Sequence, residues 1–397
     1  MAKTKVLMKL GGRKHLGEMR WKGALELYDK VYCVCTYRDP AWEISDDRVT
    51  IIELARTPLT KNLIGILVRT KSWRAFAWLN WLLVFLVRAL NRDWLAAIRA
   101  VEADDILCSY GDYDLSDLTY LLAKPALRGR VVRAYKETRP EYNFFEVQAF
   151  QNAERIVLYH EALKQFIEKK YGSVFFTGKQ VLIGPDENVL PSCILDRIRY
   201  QPKLSAQDGK VHVVILTFRV DSAPNRSRDE GRYYYLDLIR SLIDAGLVVH
   251  LHCARYNDDN GVNRYALLAQ EREGEFYMEP PLEMKHSTGA EEWARSCEIL
   301  SRYDAGILHN IVEDSSVSEF DRINVPHRYF AYEAAHVIPL VQRGNSPVLE
   351  RRFAEKHCGF VFDRLEDIQN VLQTDAQFET QTYESYLQQI FAKETEL

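Results

Sequence analysis

Three short stretches in the second half of the chain decide the fold. Residues 301–310 read SRYDAGILHN, residues 325–341 read VPHRYFAYEAAHVIPLV, and residues 358–363 read CGFVFD. They predict a buried strand after Asp304, a helix begun by Pro326, which suits a first turn, a strand over IPLV and a strand after Gly359. Strands and helices that alternate in this way are typical of a parallel sheet with helices on both faces.

The same alternation runs through the rest of the chain. Short apolar, β-branched runs predict seven strands in the first half, near residues 6–10, 31–36, 49–54, 105–108, 131–135, 156–158 and 180–183. In the second half the predicted strands are VHVVILTF, LVVHLHC, FYM, AGILHN, IPLV and GFVF. An amphipathic pattern over residues 235–242, closed by Gly246, predicts a helix after the first of these. The sequence therefore predicts an α/β protein with two doubly wound series.

Composition limits the classes of function. The chain has 397 residues, 47% of them hydrophobic and 27% charged, which is ordinary for a globular protein too long for a single core. Its net charge of −4 gives no case for broad nucleic-acid binding. The seven cysteines are odd in number and have no metal-ligand spacing, so we expect reduced, mostly buried thiols of a cytoplasmic protein. The start of the chain shows no signal-peptide pattern.

The domain boundaries are predicted from changes in periodicity. Residues 191–210 lose the apolar pattern and gain Pro, Gln, Asp and Gly, so we predict a linker between domains at 1–190 and 211–375. Residues 376–397 contain a helix with one apolar stripe. The stripe consists of Tyr383, Tyr386, Leu387, Ile390 and Phe391.

Residues 75–90, AFAWLNWLLVFLVRAL, form the most apolar segment of the chain. Asn80 and Arg88 interrupt it, and it is shorter than the ~20 residues that a spanning helix needs. Two interpretations stay open, a buried core helix and a helix that lies in the lipid headgroup region near a lipid-linked acceptor. Basic residues in and around the segment favour the second interpretation. They are Arg69, Lys71, Arg74, Arg88 and Arg92.

The stretch from Leu300 to Val341 resembles the donor-binding half of GT-B glycosyltransferases, and most of all the retaining family-4 type, which includes bacterial glycan, capsule and lipid-linked sugar transferases. The resemblance implies two Rossmann-like domains that face each other across a cleft. The first would bind the acceptor and the second the nucleotide-sugar. It also implies that the C-terminal helix packs back toward the first domain.

Positive charge follows the first predicted strand of the second domain. Arg219 and Arg232 fit the basic pair that the family has at this strand end and at the start of the next helix. Arginines aimed at a diphosphate stabilise the negative charge that develops as the leaving group departs. The alternative is a solvated loop that is rich in arginine and also contains Arg226 and Arg228.

The resemblance implies further donor-binding residues. Gly11 and Gly12 follow the first predicted strand, where paired glycines let the backbone approach the donor, although such pairs also make simple tight turns. Arg328 lies near the start of the helix after Pro326 and would face the diphosphate, unless it forms a surface salt bridge. His309, at the end of the AGILHN run, is placed in the same site.

The carboxylate that holds the nucleotide ribose is harder to assign. The position of the family's ribose-binding glutamate corresponds to Ala331, whereas the chain has its glutamate two residues later, at Glu333. The glycine that the family has in the turn after this helix is replaced by His336 or Val337. The partner glutamate eight residues earlier is also missing. The nearest acids are Glu319 and Asp321. Either Glu333 serves after a local shift, or the donor site is altered or lost.

In the first domain, the segment RVVRAYKETRPE places Lys136 in the slot of the family's histidine and Glu137 in that of its glutamate. A retaining transfer needs no strong general base because the departing phosphate can take the acceptor proton. Glu137 would then orient sugar hydroxyls, and Arg139 would meet an anionic acceptor. Asp112 and Asp114 of GDYD have the spacing of a metal-binding pair, but the two-domain layout argues against that use, so we expect no metal and no cofactor.

The sequence as a whole predicts a cytoplasmic, metal-independent glycosyltransferase of polysaccharide biosynthesis. It would move a hexose-like sugar from a nucleotide-diphosphate donor to a glycan or lipid-linked acceptor, with retention, and it would have no nucleic-acid partner. Peripheral contact with the inner face of the membrane through residues 75–90 stays open. The alternatives are an inactive GT-B-like binding or assembly subunit and, less favoured, a nucleotide-sugar epimerase.

Overall fold

A computed structural model describes residues 3–8, 18–35, 46–54, 57–109, 116–135, 138, 141–184, 189–223, 233–258, 261–282, 289–309, 319–378 and 381–392. The chain divides into two units. The first comprises Met1–Cys193 and Gln381–Leu397, and the second comprises Ile194–Thr380.

The first unit is built around a seven-stranded parallel sheet with the order β3-β2-β1-β4-β5-β6-β7. The strands are β1 (Lys3–Met8), β2 (Tyr28–Cys35), β3 (Val49–Glu53), β4 (Asp105–Ser109), β5 (Arg130–Tyr135), β6 (Arg155–Leu158) and β7 (Gln180–Ile183). The helices are α1 (Glu18–Leu25), α2 (Pro58–Thr70), α3 (Ala77–Leu90), α4 (Arg92–Val101), α5 (Ser116–Ala123), α6 (Phe144–Asn152) and α7 (Glu161–Tyr171). A short helix, α8 (Ser192–Leu195), spans the boundary between the two units.

The second unit has a six-stranded parallel sheet with the order β10-β9-β8-β11-β12-β13. Its strands are β8 (His212–Asp221), β9 (Val248–Asn257), β10 (Phe276–Glu279), β11 (Ala305–Ile307), β12 (Ile338–Gln342) and β13 (Phe360–Phe362). Its helices are α9 (Ser205–Asp208), α10 (Leu236–Asp244), α11 (Arg264–Glu271), α12 (Ala290–Leu300), α13 (Glu319–Ile323), α14 (Arg328–Ala334) and α15 (Pro347–Lys356). A final helix, α16 (Tyr383–Phe391), belongs to the first unit.

The predicted α/β class with two doubly wound, Rossmann-like series is confirmed. Each predicted strand is present, with ends that differ by a few residues, because buried β-branched runs between turn residues mark strands locally. Two details differ from the prediction. β8 continues to Asp221, so that Arg219 lies within the strand, and α14 begins at Arg328 with Pro326 two residues before it.

The centre of the second sheet depends on a close contact between β11 and α14. The Tyr332 ring lies over Gly306, where an added Cβ would be 2.5 Å from the ring. The Tyr332 hydroxyl accepts a hydrogen bond from the Leu216 amide at 3.1 Å and lies 3.3 Å from the Ile307 carbonyl oxygen. Glycine at 306 therefore lets a buried tyrosine join α14 to the middle of the sheet.

Most of the predicted linker is part of the second unit. Residues 194–210 include α9, and their hydrogen bonds run to the start of β11 and the end of α14. Lys203 Nζ donates to the carbonyl oxygens of Tyr303 at 2.6 Å and His336 at 2.7 Å. The Ser205 hydroxyl donates to Asp304 at 2.5 Å. These polar bonds explain why a segment without apolar periodicity is nevertheless fixed.

The C-terminal helix α16 completes the core of the first unit. Tyr386, Leu387, Ile390 and Phe391 are buried in a cluster that includes Trp21 of α1. Gly23 of α1 lies so close that an added Cβ would be 2.8 Å from the Tyr383 ring. The last carbonyl groups of α16 accept hydrogen bonds from cations, since Arg155 donates to Ile390 at 2.7 Å and Arg130 donates to Phe391.

The apolar segment 75–90 covers the first unit's core with one face only. On α3, Leu83, Val84 and Val87 are buried in the same core cluster as residues of α4 and α5. No helix in the described part of the chain is long and apolar enough to cross a membrane.

Candidate functional site

The order of the second sheet points to one edge. The chain winds outward from β8 in one direction through β9 and β10, and in the other through β11, β12 and β13. In doubly wound sheets, ligands bind beyond the carboxyl ends of the two strands between which the direction reverses. The candidate site therefore lies where β8 and β11 end.

Arg219 occupies the last part of β8. Its guanidinium carbon lies 4.1 Å from the centroid of the Tyr233 ring, within the range of a cation–π contact. Its Nη2 is 3.8 Å from the Asp221 carboxylate, and 30% of the side chain is exposed. This position leaves the guanidinium fixed on one side by Tyr233 and accessible to a small anionic ligand.

Arg328 is the first residue of α14, the helix that precedes β12. It lies near the same edge as Arg219, but on the β11 side of the place where the strand order reverses. Its Nη1 donates to the Tyr235 hydroxyl at 3.3 Å, and Tyr235 is buried directly before α10. Burial lowers the pKa of the Arg328 guanidinium, but nearby tyrosines, Tyr235 and Tyr332 first, raise it by more. The side chain therefore stays charged in a partly buried setting.

A run of tyrosines connects the two arginines. Tyr233 contacts Arg219, Tyr235 contacts Arg328, and Tyr233 also acts electrostatically on Arg328. The Tyr235 amide in turn donates to the Tyr265 hydroxyl at 3.0 Å, which fixes the start of α10. Two of the predicted basic residues are thus held near one short segment at the carboxyl end of β8.

His309 follows β11 and therefore lies at the same edge, where it is partly buried. The predicted pairing of Arg219 with Arg232 falls outside the described residues, because residues 224–232 are not among them. Gly11, Gly12, Lys136 and Glu137, which follow β1 and β5 in sequence, also lie outside the described residues, as do Asp112, Asp114 and Arg139. Their roles stay predictions.

One described residue fixes the chain beside Glu137. The Thr138 hydroxyl is buried and donates to Glu146 Oε1 at 2.7 Å. Lys170 Nζ donates to both Thr138 and Glu146, at 3.0 Å each. The Glu146–Lys170 pair is almost fully buried, and so Thr138 is attached to α6 and α7.

Glu333 lies on α14 and is 9% exposed. Its Oε1 accepts a hydrogen bond from the Tyr329 hydroxyl at 2.9 Å and is 3.9 Å from Arg352 Nη2 on α15. Arg352 Nε also donates to the Tyr329 hydroxyl at 2.7 Å. These partners give Glu333 a role in joining α14 to α15, and its contact with a ribose stays a prediction.

The backbone shows which residue stands in the turn-glycine position. His336 has φ +54°, the left-handed region that glycine favours, although histidine tolerates it better than most residues. Its ring is stacked between Tyr200 at 4.2 Å and Phe378 at 5.0 Å, centroid to centroid. Counted back from this turn, the position of the family's ribose-binding glutamate is Ala331. Ala331 lies two residues from Glu333, which is a rotation of about 200° around the helix axis.

Sequence reasoning missed the aromatic partners of the site. The sequence pattern gives Tyr233 no role, places Tyr235 only at the start of an amphipathic helix, and places Tyr329 only in the helix after Pro326. The signal that points to them is a run of three tyrosines directly after an arginine-rich segment, since tyrosine offers both a ring face and a hydroxyl to arginine. Among the described residues, no group of three or more His, Cys, Asp or Glu side chains could hold a metal ion.

Comparison with known proteins shows resemblance in structure but not in sequence. No protein-family model matches the chain, and no curated protein matches it. An α,α-trehalose 6-phosphate synthase from Burkholderia multivorans superposes with a TM-score of 0.52 at 11% identity, over 99% of this chain and 93% of its own. Apo OtsA superposes with a TM-score of 0.53 at 11% identity, over 98% of this chain and 94% of its own.

Both similarities extend over nearly the whole chain and both units. The chain has the GT-B fold. At this level of identity the likeness establishes the fold alone. The GT-B fold agrees with the resemblance that residues 300–341 carry, while membership of family 4 within it stays a prediction.

Proposed function

We propose that this GT-B protein is a glycosyltransferase that moves a sugar from a nucleotide-diphosphate donor to a glycan or lipid-linked acceptor, with retention and without a metal ion. The observation that supports it most is the pair of arginines, Arg219 and Arg328, at the reversal point of the second sheet. In the lipid-linked case, the protein works at the inner surface of a membrane in polysaccharide biosynthesis.

The chemistry follows from where charge develops. As the bond between the sugar and the diphosphate breaks, negative charge grows on the leaving phosphate oxygens, and cations fixed beforehand stabilise it. Arg219, held by Tyr233, and Arg328, held by Tyr235, are such cations. Arg232, Gly11 and Gly12 complete the donor site in this proposal.

His309 joins the same donor site at the end of β11. On the acceptor side, Glu137 orients hydroxyl groups and Lys136 contacts the sugar. The released phosphate accepts the acceptor's proton, so that no side chain has to act as a strong base.

Titration calorimetry with UDP and GDP tests the donor site. We expect Arg219→Ala and Arg328→Ala each to weaken binding of the nucleoside diphosphate by about 1–3 kcal/mol, the range for a hydrogen bond to a charged group. Binding of the nucleoside without phosphates should hardly change, because both arginines are assigned to the diphosphate.

Arg302→Ala is the matched control. It removes the same charge from an exposed residue that precedes β11 and therefore lies at the opposite edge of the sheet. We expect it to leave nucleotide affinity unchanged. A folded protein that binds no nucleoside diphosphate would refute the proposal, and equal losses for nucleoside and diphosphate would show that the arginines act on folding.

A second candidate function has one observation in its favour. Ala331 stands in the ribose slot, and Glu333 is engaged with Tyr329 and Arg352. A GT-B protein without this carboxylate contact would serve as a binding or assembly subunit that no longer transfers sugar. Nucleotide binding without any turnover of UDP- or GDP-sugars, with or without added acceptors, would favour this candidate over the enzyme.

A further inference from the structure

Helix α3 is apolar on both sides, and only one side is covered. Its inner side fills the core of the first unit, whereas its outer side exposes six large apolar residues between 38% and 65%. They are Trp78, Trp81, Leu82, Phe85, Leu86 and Leu90. The spacing of three and four residues places them along one face of the helix.

Exposed apolar residues also precede α3 in the chain. Trp73 and Phe76, in the turn before α3, are 52% and 45% exposed and lie 5.8 Å apart, centroid to centroid. Leu59 and Ile66 of α2 are 54% and 42% exposed. We call these exposed residues of α2, the turn and α3 the α2–α3 face. An apolar area of this extent is unusual on a monomer and marks an interaction surface.

The polar residues that interrupt segment 75–90 point away from this face. Asn80 is buried and bonded to Thr70 of α2, whose hydroxyl donates to Asn80 Oδ1 at 2.6 Å. Arg88 donates to the Leu121 carbonyl oxygen of α5. Asn91 Nδ2 donates to the Val87 carbonyl oxygen at 2.6 Å. The outer side of α3 is therefore apolar without a break, and buried hydrogen bonds attach α3 to its neighbours.

The charge on the segment that carries the face has one sign. From Pro58 to Arg92 the sequence contains six basic residues and no acidic residue, although the whole chain carries −4 and the exposed acid Asp93 follows directly. Arg69, Arg74 and Arg92 are exposed, and Lys61 is exposed on α2. Apolar and tryptophan side chains on a segment whose charged residues are all basic match the acyl-chain boundary and the anionic headgroups of a bilayer.

We propose that the α2–α3 face binds the surface of an anionic phospholipid bilayer. α3 lies in the plane of the membrane with Trp78 and Phe85 inserted below the headgroups, while the basic residues contact the lipid phosphates. The inference goes beyond the proposed transfer reaction and does not depend on it, since membrane binding needs no nucleotide. It assigns the membrane contact to three elements, where the sequence pattern indicates only residues 75–90.

Sedimentation of the full chain with vesicles tests the proposal. We expect binding to vesicles of phosphatidylcholine mixed with phosphatidylglycerol, and much weaker binding to phosphatidylcholine alone. A combined Trp78→Ser and Phe85→Ser variant should reduce partitioning about a hundredfold, because each large apolar side chain contributes on the order of tenfold. Arg69→Gln with Arg92→Gln should weaken binding by about fivefold for each charge removed, on the anionic vesicles only.

A Val174→Ser and Leu267→Ser variant is the matched control, because both side chains are also exposed, at 75% and 54%, and lie outside the α2–α3 face. We expect it to bind vesicles like the parent. Calorimetry with UDP on the same variants separates the two proposals, since vesicle binding can be lost while nucleotide binding is kept. Equal binding of the parent to both kinds of vesicle, no binding to either, or a dimer that the Trp78→Ser and Phe85→Ser changes convert to monomer would overturn the proposal.

Discussion

Glu333 is the residue at which the sequence and the structure suggest different roles. The family resemblance places a ribose-binding carboxylate close to it, whereas its contacts join α14 to Tyr329 and to Arg352 of α15. We expect Glu333→Gln to destabilise the second unit by about 1–3 kcal/mol, because the partly buried Arg352 loses the opposite charge beside it. In a unit of this size each kcal/mol lowers the melting temperature by roughly 2–4 °C.

If Glu333 instead binds the nucleotide ribose, the same variant should lose sugar-nucleotide affinity with little change in melting temperature. Thermal unfolding of the apo protein and calorimetry with the donor nucleotide therefore decide between the two roles. Glu355→Gln is the control, because Glu355 is exposed on α15 and has no assigned role in nucleotide binding. A normal melting temperature together with weaker nucleotide binding would show that the sequence-based assignment is right.

At the scale of elements, α16 contributes to the core of a unit from which it is separated by nearly two hundred residues of sequence. Ile390 is fully buried, and its carbonyl group accepts a hydrogen bond from Arg155. We expect Ile390→Ala to destabilise the first unit by about 2–5 kcal/mol, the range for removing a large buried side chain. Hydrogen exchange should rise in α1 and β2, which share the cluster with α16.

Leu372→Ala, in the second unit, removes a residue that is 49% exposed and should change neither the melting temperature nor the exchange of α1. Unchanged exchange in α1 for Ile390→Ala would contradict the position of α16 in the first unit's core.

At the scale of the whole molecule, the two units should respond differently to acid. Burial lowers the pKa of His250, His252 and His336, all of which belong to the second unit. His252 shows the reason, since the ring is buried and its two contacts, from Nδ1 to the Pro280 carbonyl oxygen at 2.6 Å and between Nε2 and the Tyr303 hydroxyl at 2.9 Å, can both be made by a neutral ring. Burial therefore penalises the charged form.

The sign of the pH effect follows from these lowered pKa values. Below about pH 6.5, the unfolded chain binds protons that the folded unit does not, so stability falls as the pH decreases. We expect the second unit's melting temperature to drop between pH 7.5 and pH 5, and His252→Phe to make the drop smaller. Calorimetric scans over this range measure both effects. A melting temperature of the second unit that rises on acidification would contradict the lowered pKa values.

Much of this protein could be predicted from local patterns, and the rest depended on partners distant in sequence. β8, β11 and β12 are runs of buried β-branched and apolar residues, and Gly246 ends a helix with φ +84°, so their positions are determined within a few residues of chain. The order of these elements was also enough to place Arg219 and His309 at the ligand edge of the sheet, since in a doubly wound sheet the sequence of strands dictates where the direction reverses.

The direction in which a side chain points depends on packing, and here only the tertiary structure decides. Asn80 and Arg88 read as interruptions of an apolar helix, yet contacts with α2 and α5 turn them inward and leave the exposed side of α3 apolar. Glu333 reads as a ligand-binding residue, yet Arg352 reaches it from another helix. Burial and periodicity are properties of a segment, whereas the partner of a polar group is fixed only when distant segments meet, because a buried polar group must be paired wherever a partner lies.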